Sequence, residues 1–211
     1  KTGLPPQRDG FTPQQIDLGR YLFFDPLLSA EGTMSCASCH HPARAFTDGR
    51  PTAVGLQAGA RNTLGMADLG MQRWYGWNGA NDNLWAQSLR PLLDAREMDS
   101  SLARVAHTVR SQADLREGFH RAFGMAPGAD DEHVAVDIAK ALAAYQETLR
   151  SGRTPFDEFR DAVQRGDRSA AAAYPLSAQR GLALFLGRAR CYFCHSGPNF
   201  SNGEFGDIGV P

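Results

Sequence analysis

All four cysteines of this 211-residue chain fall in two copies of one pattern, Cys36-Ala-Ser-Cys39-His40 and Cys191-Tyr-Phe-Cys194-His195. The pattern ties the chain to a chemical partner rather than to itself. Two thiols at this spacing can form thioether bonds to the vinyl groups of a haem, and the histidine that follows then reaches the iron. A zinc site is one alternative, but paired Cys-x-x-Cys ligands usually stand roughly 15–20 residues apart. Cys39 and Cys191 lie far beyond that separation. A thioredoxin-like redox pair explains neither the duplication nor the trailing histidines. The motif reading is therefore two covalently attached haem c groups. Cys36, Cys39 and His40 hold one, and Cys191, Cys194 and His195 hold the other.

The length allows one large domain or two small ones. With 42% hydrophobic and 21% charged residues the composition is that of an ordinary globular chain. A formal net charge of −1 gives no reason to expect a nucleic-acid partner. No apolar run approaches the roughly 20 residues needed to span a bilayer.

Thr12-Pro13-Gln14-Gln15 predicts a helix start, with Thr12 as cap, Pro13 at the first position and Gln15 completing a capping box. Ile16, Gly19, Leu22 and Phe23 follow at helical spacing, and Asp25-Pro26 ends the element. Gly19, Leu22 and Phe23 recur at one constant offset as Gly181, Leu184 and Phe185, ahead of the second motif. This order of helix, loop and Cys-x-x-Cys-His reads as an internal repeat of two related haem domains. A helix capped by Ser100 or Ser101 is expected to run to about Phe123. Another is capped by Asp130 or Asp131 and presents Val134, Ile138, Leu142, Tyr145 and Leu149 on one face, with Ser151-Gly152 closing it. Residues 48–83 are richer in Gly, Asn and Asp and read as loops, where working residues often sit. The expected fold is mainly α. Residues 1–165 form the N-terminal domain, interdomain helices included, and 166–211 begin an apparently incomplete C-terminal domain.

Several segments together resemble the bacterial dihaem cytochrome c peroxidase and MauG superfamily. They are Leu18-Gly-Arg-Tyr-Leu-Phe-Phe-Asp-Pro26, Ser35 with the first motif, Ala45-Phe-Thr-Asp-Gly49, Arg61-Asn62, Asp137-Ile-Ala-Lys-Ala-Leu-Ala-Ala-Tyr145 and Phe205-Gly-Asp-Ile-Gly-Val-Pro211. The resemblance implies two cytochrome-c-like domains in a periplasmic protein whose signal peptide has been removed. It implies a peroxide-reactive N-terminal haem and an electron-transferring C-terminal haem. Residue by residue, it assigns Trp77 to the position between the haems. Gln87, Pro91 and Glu97 fall in the distal pocket, at spacings of 10, 14 and 20 from Trp77. Asn62 matches a ligand of a calcium ion between the haem domains. The residue types suit these roles. A carboxylate whose pKa is raised by burial can move a proton between peroxide oxygens, an amide can orient the bound peroxide, and an indole can pass an electron. The plain alternatives are core packing for the tryptophans crowded into 74–85 and an exposed ion pair between Glu97 and Arg96.

Two departures refine the expectation. Leu56 stands about where the reductively activated peroxidases carry a distal His, and no histidine occurs between His41 and His107. This implies an open sixth position on the first haem, as in MauG and the methanobactin-associated dihaem enzymes. The wording around Trp74–Trp77 and Leu84–Leu92 is also closer to that branch. After His195 the chain offers no Met, Tyr or His as a second axial ligand, which reads as an incomplete domain. The implied function is peroxide-driven oxidation of an aromatic residue, Trp foremost, in a partner protein. It would proceed through a high-valent state shared between the haems by way of Trp77. The alternatives are a cytochrome c peroxidase fed by a small cytochrome or cupredoxin, and a non-enzymatic dihaem electron carrier. The implied partners are hydrogen peroxide and a protein substrate or redox donor, with a homodimer open as an assembly.

Overall fold

The computed structural model describes residues 10–207 and 209. Among them are eight α-helices, with only isolated bridges in place of strands. The chain divides after Arg150 into two compact units.

In the first unit, helix α1 (Pro13–Phe24) starts at a complete Thr12–Gln15 capping box and ends at Asp25. Helix α2 (Leu84–Leu93) is capped by Asn83, and α3 (Leu102–Ser111) by Ser101. Helix α4 (Ala113–Phe123) ends on Gly124 in the left-handed region. Helix α5 (Asp131–Glu147) is the central rod of the unit. The Asp130 side chain accepts from the Glu132 and His133 amides, and Asp131 and Glu132 complement the helix dipole. Val134, Ala135, Ile138 and Leu142 of α5 are fully or almost fully buried, with α1, α2 and α3 packed on it. Its contact with α1 is close enough that a Cβ on Gly19 would overlap the Ala141 carbonyl oxygen.

The single helix expected from Ser100 or Ser101 to Phe123 is two helices. Gln112 adopts an extended conformation (φ −85°, ψ 120°), ending α3 and capping α4. The reason is a change of phase. Val105, Ala106 and Val109 are buried on α3, but the continuation of that stripe falls on Gln112 and Arg116, whereas α4 buries Leu115, Gly118, Phe119 and Ala122. The break lets α3 face α5 while α4 faces α1. Helix α5 likewise ends at Glu147, ahead of the expected Ser151-Gly152.

The second unit holds α6 (Pro155–Gln164), α7 (Arg168–Ala172) and α8 (Leu176–Leu186). A Thr154–Asp157 capping box starts α6, and the Phe159 ring stacks on Tyr174 with centroids 4.7 Å apart. Asp161 accepts from Arg153 at 2.6 Å and from Arg160 at 2.7 Å. These contacts place α6 with the second unit, whereas the sequence reading put the division after residue 165. Of the segments carrying the family resemblance, Ile208, Val210 and Pro211 lie outside the described residues.

Candidate haem and peroxide site

The first motif is a single tight turn. Cys36–Ser38 form a 3-10 turn started by reciprocal bonds between Ser35 and Ser38, and the His40 amide donates to the Cys36 carbonyl at 2.9 Å. Ala45 and Phe46 both sit in the left-handed region (φ 52° and 58°), which folds the chain back on the motif. The Phe46 carbonyl thereby reaches His40 Nδ1 at 2.9 Å. With Nδ1–H donated there, the Nε2 lone pair is the ring's metal-binding group. Burial lowers the pKa of His40, against the raising effect of the Phe46 and Leu64 backbone, and so favours the neutral ligating form.

The second motif repeats the construction. Cys191–Phe193 form a 3-10 turn, the His195 amide donates to the Cys191 carbonyl at 2.9 Å, and the Phe200 carbonyl lies 3.1 Å from His195 Nδ1. Phe200 is also left-handed, at φ 52°. Phe23 lies 6.4 Å from the His40 ring at 44°, and Phe185 lies 6.4 Å from the His195 ring at 43°. Phe23 and Phe185, paired by the sequence offset, therefore stand in the same relation to their histidines.

In the first unit Cys36, Cys39 and His40 open into a cavity of about 540 Å³. Phe23, Met34, Leu64, Met66, Leu69 and Leu142 supply much of its apolar lining. An apolar pocket presenting two thiols and an imidazole fits a covalently attached haem. Burial pushes the Cys36 thiol up to about 12 and raises Cys39 as well, so neither is prepared as a thiolate nucleophile.

Gln87, Pro91 and Glu97 line the same cavity, as do Trp77 and Asn62. Gln87 and Pro91 share a face of α2, one turn apart. Glu97 follows α2 on a turn in which its own amide donates to the Asp94 carbonyl and the Met98 amide donates to the Pro91 carbonyl. The alternative reading of Glu97, an ion pair with Arg96, is not what forms. The Arg96 guanidinium closes instead on both carboxylate oxygens of Asp94, at 3.1 and 3.0 Å. Glu97 is left facing the open cavity with its residue surface exposed; partial desolvation and then the Asp94 charge raise its pKa, with Arg90 and Arg96 opposing.

The loop carrying Leu56 packs onto this turn. The Leu56 and Gln57 amides donate to the Glu97 and Arg96 carbonyls at 3.3 and 2.9 Å. A Cβ at Gly55 would come within 2.8 Å of Glu97 Cα, so only glycine allows this approach. Gly55 and Gln57 line the cavity while Leu56 does not, and His40 is the only histidine lining it among the described residues. His41 is exposed and also outside the lining.

Trp77 is 50% exposed, and its indole N–H donates to the Asn62 carbonyl at 2.9 Å. Of the other tryptophans, Trp85 packs against the core and Trp74 carries the Arg73 guanidinium over its ring. No three His, Cys, Asp or Glu residues cluster to hold a metal ion among the described residues. Asn62 therefore stands without an acidic cluster as a calcium donor.

Sequence reasoning missed three contributors. Asn81 donates from Nδ2 to Gln87 Oε1 at 2.8 Å. Gln146 lines the cavity and donates to the buried Ser88 hydroxyl at 2.8 Å. Gly55 was passed over because an isolated glycine in a loop carries no signal of what approaches it.

A sequence profile of the di-haem cytochrome c peroxidase family matches residues 13–165. The methylamine utilization protein MauG of Methylorubrum extorquens is 37% identical over 207 residues, covering 97% of this chain and 56% of that protein. The cytochrome c551 peroxidase of Nitrosomonas europaea is 32% identical over 205 residues, covering 94% and 57%. Among solved structures, a MauG-like protein associated with microbial copper homeostasis superposes with a TM-score of 0.76 at 32% identity, over 100% of this chain and 62% of that one. The diheme peroxidase BthA of Burkholderia thailandensis gives 0.70 at 28% identity, over 87% and 49%. The chain thus spans little more than half the length of the curated relatives it matches.

Proposed function

Since the chain belongs to the di-haem cytochrome c peroxidase family, we propose that it is the peroxide-reactive part of a periplasmic dihaem oxidoreductase that oxidises an aromatic residue, Trp foremost, of a partner protein. The carrying observation is the shared cavity, in which Gln87, Pro91 and Glu97 accompany His40 with no second histidine among the described residues. The higher identity to MauG than to the cytochrome c551 peroxidase supports the protein-oxidising branch.

Each haem c would be held by its two cysteines and its histidine. The haems, when bound, supply peroxide cleavage and storage of oxidising equivalents. The chain's residues do the rest. Glu97 takes a proton from one peroxide oxygen and returns it to the other, a task for which its raised pKa suits it. The Gln87 amide orients the peroxide. Trp77 would pass electrons beyond the cavity, a role supported by its half-exposed position and its bond to the Asn62 carbonyl. Hydrogen peroxide takes up two electrons and two protons to give water, and the electrons come from the partner's side chain. On this reading the partner's side chain is oxidised at a distance rather than inside the cavity. Calcium at Asn62 belongs to the proposal through the family resemblance alone, and no step depends on it.

Absorption and EPR spectra of the oxidised holoprotein test the reading. A high-spin signal from the first haem is expected. Two low-spin haems would instead identify an electron carrier. The peroxidase relative favours a second reading, reduction of peroxide with electrons from a small cytochrome or cupredoxin. Fast steady turnover with such a donor and no long-lived oxidised species would select it.

A further inference from the structure

The hairpin-like loop from Tyr75 to Asn81 joins two functional groups that lie far apart in kind. Its ends are tied by the Tyr75 amide donating to the Asn81 carbonyl at 2.9 Å. Near its tip stands Trp77, bound to the Asn62 carbonyl. At its base the Asn81 side chain donates from Nδ2 to Gln87 Oε1 at 2.8 Å. Asn81 does not line the cavity, but Gln87 does.

An amide has one acceptor and one donor end, and its hydrogen-bond partners decide which end faces which way; the Asn81–Gln87 contact is part-buried. With Oε1 engaged by Asn81, the Gln87 Nε2 group is the end left to serve the cavity, and it donates to no protein atom among the described residues. The fit is close. Gly76, left-handed at φ 79°, would bring a Cβ within 3.2 Å of Gln87 Oε1, so its lack of a side chain leaves room for the clamped amide.

We propose that Asn81 is a positioning residue that fixes the polarity of the Gln87 amide, so that the cavity is offered an N–H donor rather than a carbonyl. The ligand chemistry served is a small oxygen-bearing or anionic group that accepts a hydrogen bond. The inference rests on the peroxide-site reading above and deepens it.

Asn81→Asp tests it by reversing polarity at almost constant shape. A carboxylate cannot donate to Oε1 and would instead accept from Nε2, turning the carbonyl towards the cavity. Fluoride titration of the oxidised holoprotein, followed by absorbance, reads donation to a bound anion without turnover. Wild type is expected to bind fluoride, and Asn81→Asp to bind it at least about tenfold more weakly, as fits loss of a hydrogen bond to a charged acceptor. Asn81→Ala, which frees the amide without reversing it, should fall between them. In a Gln87→Ala background, Asn81→Asp should cause no further loss, because the effect runs through Gln87. Fluoride affinity within twofold of wild type in Asn81→Asp, or an equal loss in both backgrounds, would overturn the proposal alone. A wild-type protein that takes no fluoride at either haem would overturn it together with the open-site reading.

Discussion

At Glu97 the local forces are unequal and can be ordered. Burial raises the pKa most, Asp94 adds to this, and Arg90 and Arg96 pull it back. Arg96 pulls weakly because its guanidinium is committed to Asp94, which it holds down at about 2. In the window between the ordinary carboxylate value and the raised one, the folded protein keeps a proton that the unfolded chain has lost. Stability contributed by this group is therefore full at low pH and falls as pH rises through the window. Glu97→Gln removes that slope, and melting temperatures measured across mildly acidic pH should show a flatter profile in the variant. The same variant should slow the reaction with peroxide by about a hundredfold or more, the usual size of a lost acid–base group; stopped-flow mixing with peroxide measures it. The family resemblance brought Glu97, Gln87 and Pro91 into view, through their residue types and their spacing from Trp77; without it an isolated Gln or Glu carries no such signal. Asn81 stayed hidden, since its partner lies across a bend and loops have no periodicity to mark a pair.

Among the elements, α5 does the organising and α1 is fitted to it at one point. Gly19 lets the two backbones meet at Ala141, and the next turn of α1 carries Phe23 to the cavity beside His40. Gly19→Ala should therefore act on the site as well as on stability. A destabilisation of about 1–3 kcal/mol or more is expected from overpacking, read by denaturant unfolding of the haem-loaded protein. An unchanged midpoint would show that the helices part easily. Helix starts were legible because capping chemistry is local, as at Thr12 and Asp130. The break at Gln112 was not, because it answers to two different packing partners, α5 for one half and α1 for the other.

Across the whole molecule, each of the two compact units builds its motif turn to one design. The duplicated Cys-x-x-Cys-His made two sites readable at once. The assignment of α6 depended on aromatic contacts that no sequence window contains, such as Phe156 with Phe200. Trp77 is the residue proposed to connect the first site with the rest of the protein. Trp77→Phe should leave both haems attached and slow electron exchange between them, measured by reducing the pair stepwise and following each haem's spectrum. Undiminished exchange would remove Trp77 from the route.

The left-handed phenylalanines behind each motif carry a last consequence. Phe46 and Phe200 aim a carbonyl at the Nδ1 of their histidines at nearly equal distance. With a haem held at each motif, the two ligand imidazoles would each keep a backbone hydrogen bond of similar length. A difference in reactivity between two such sites would then come from groups other than that hydrogen bond, and in the first unit the cavity offers Gln87, Pro91 and Glu97.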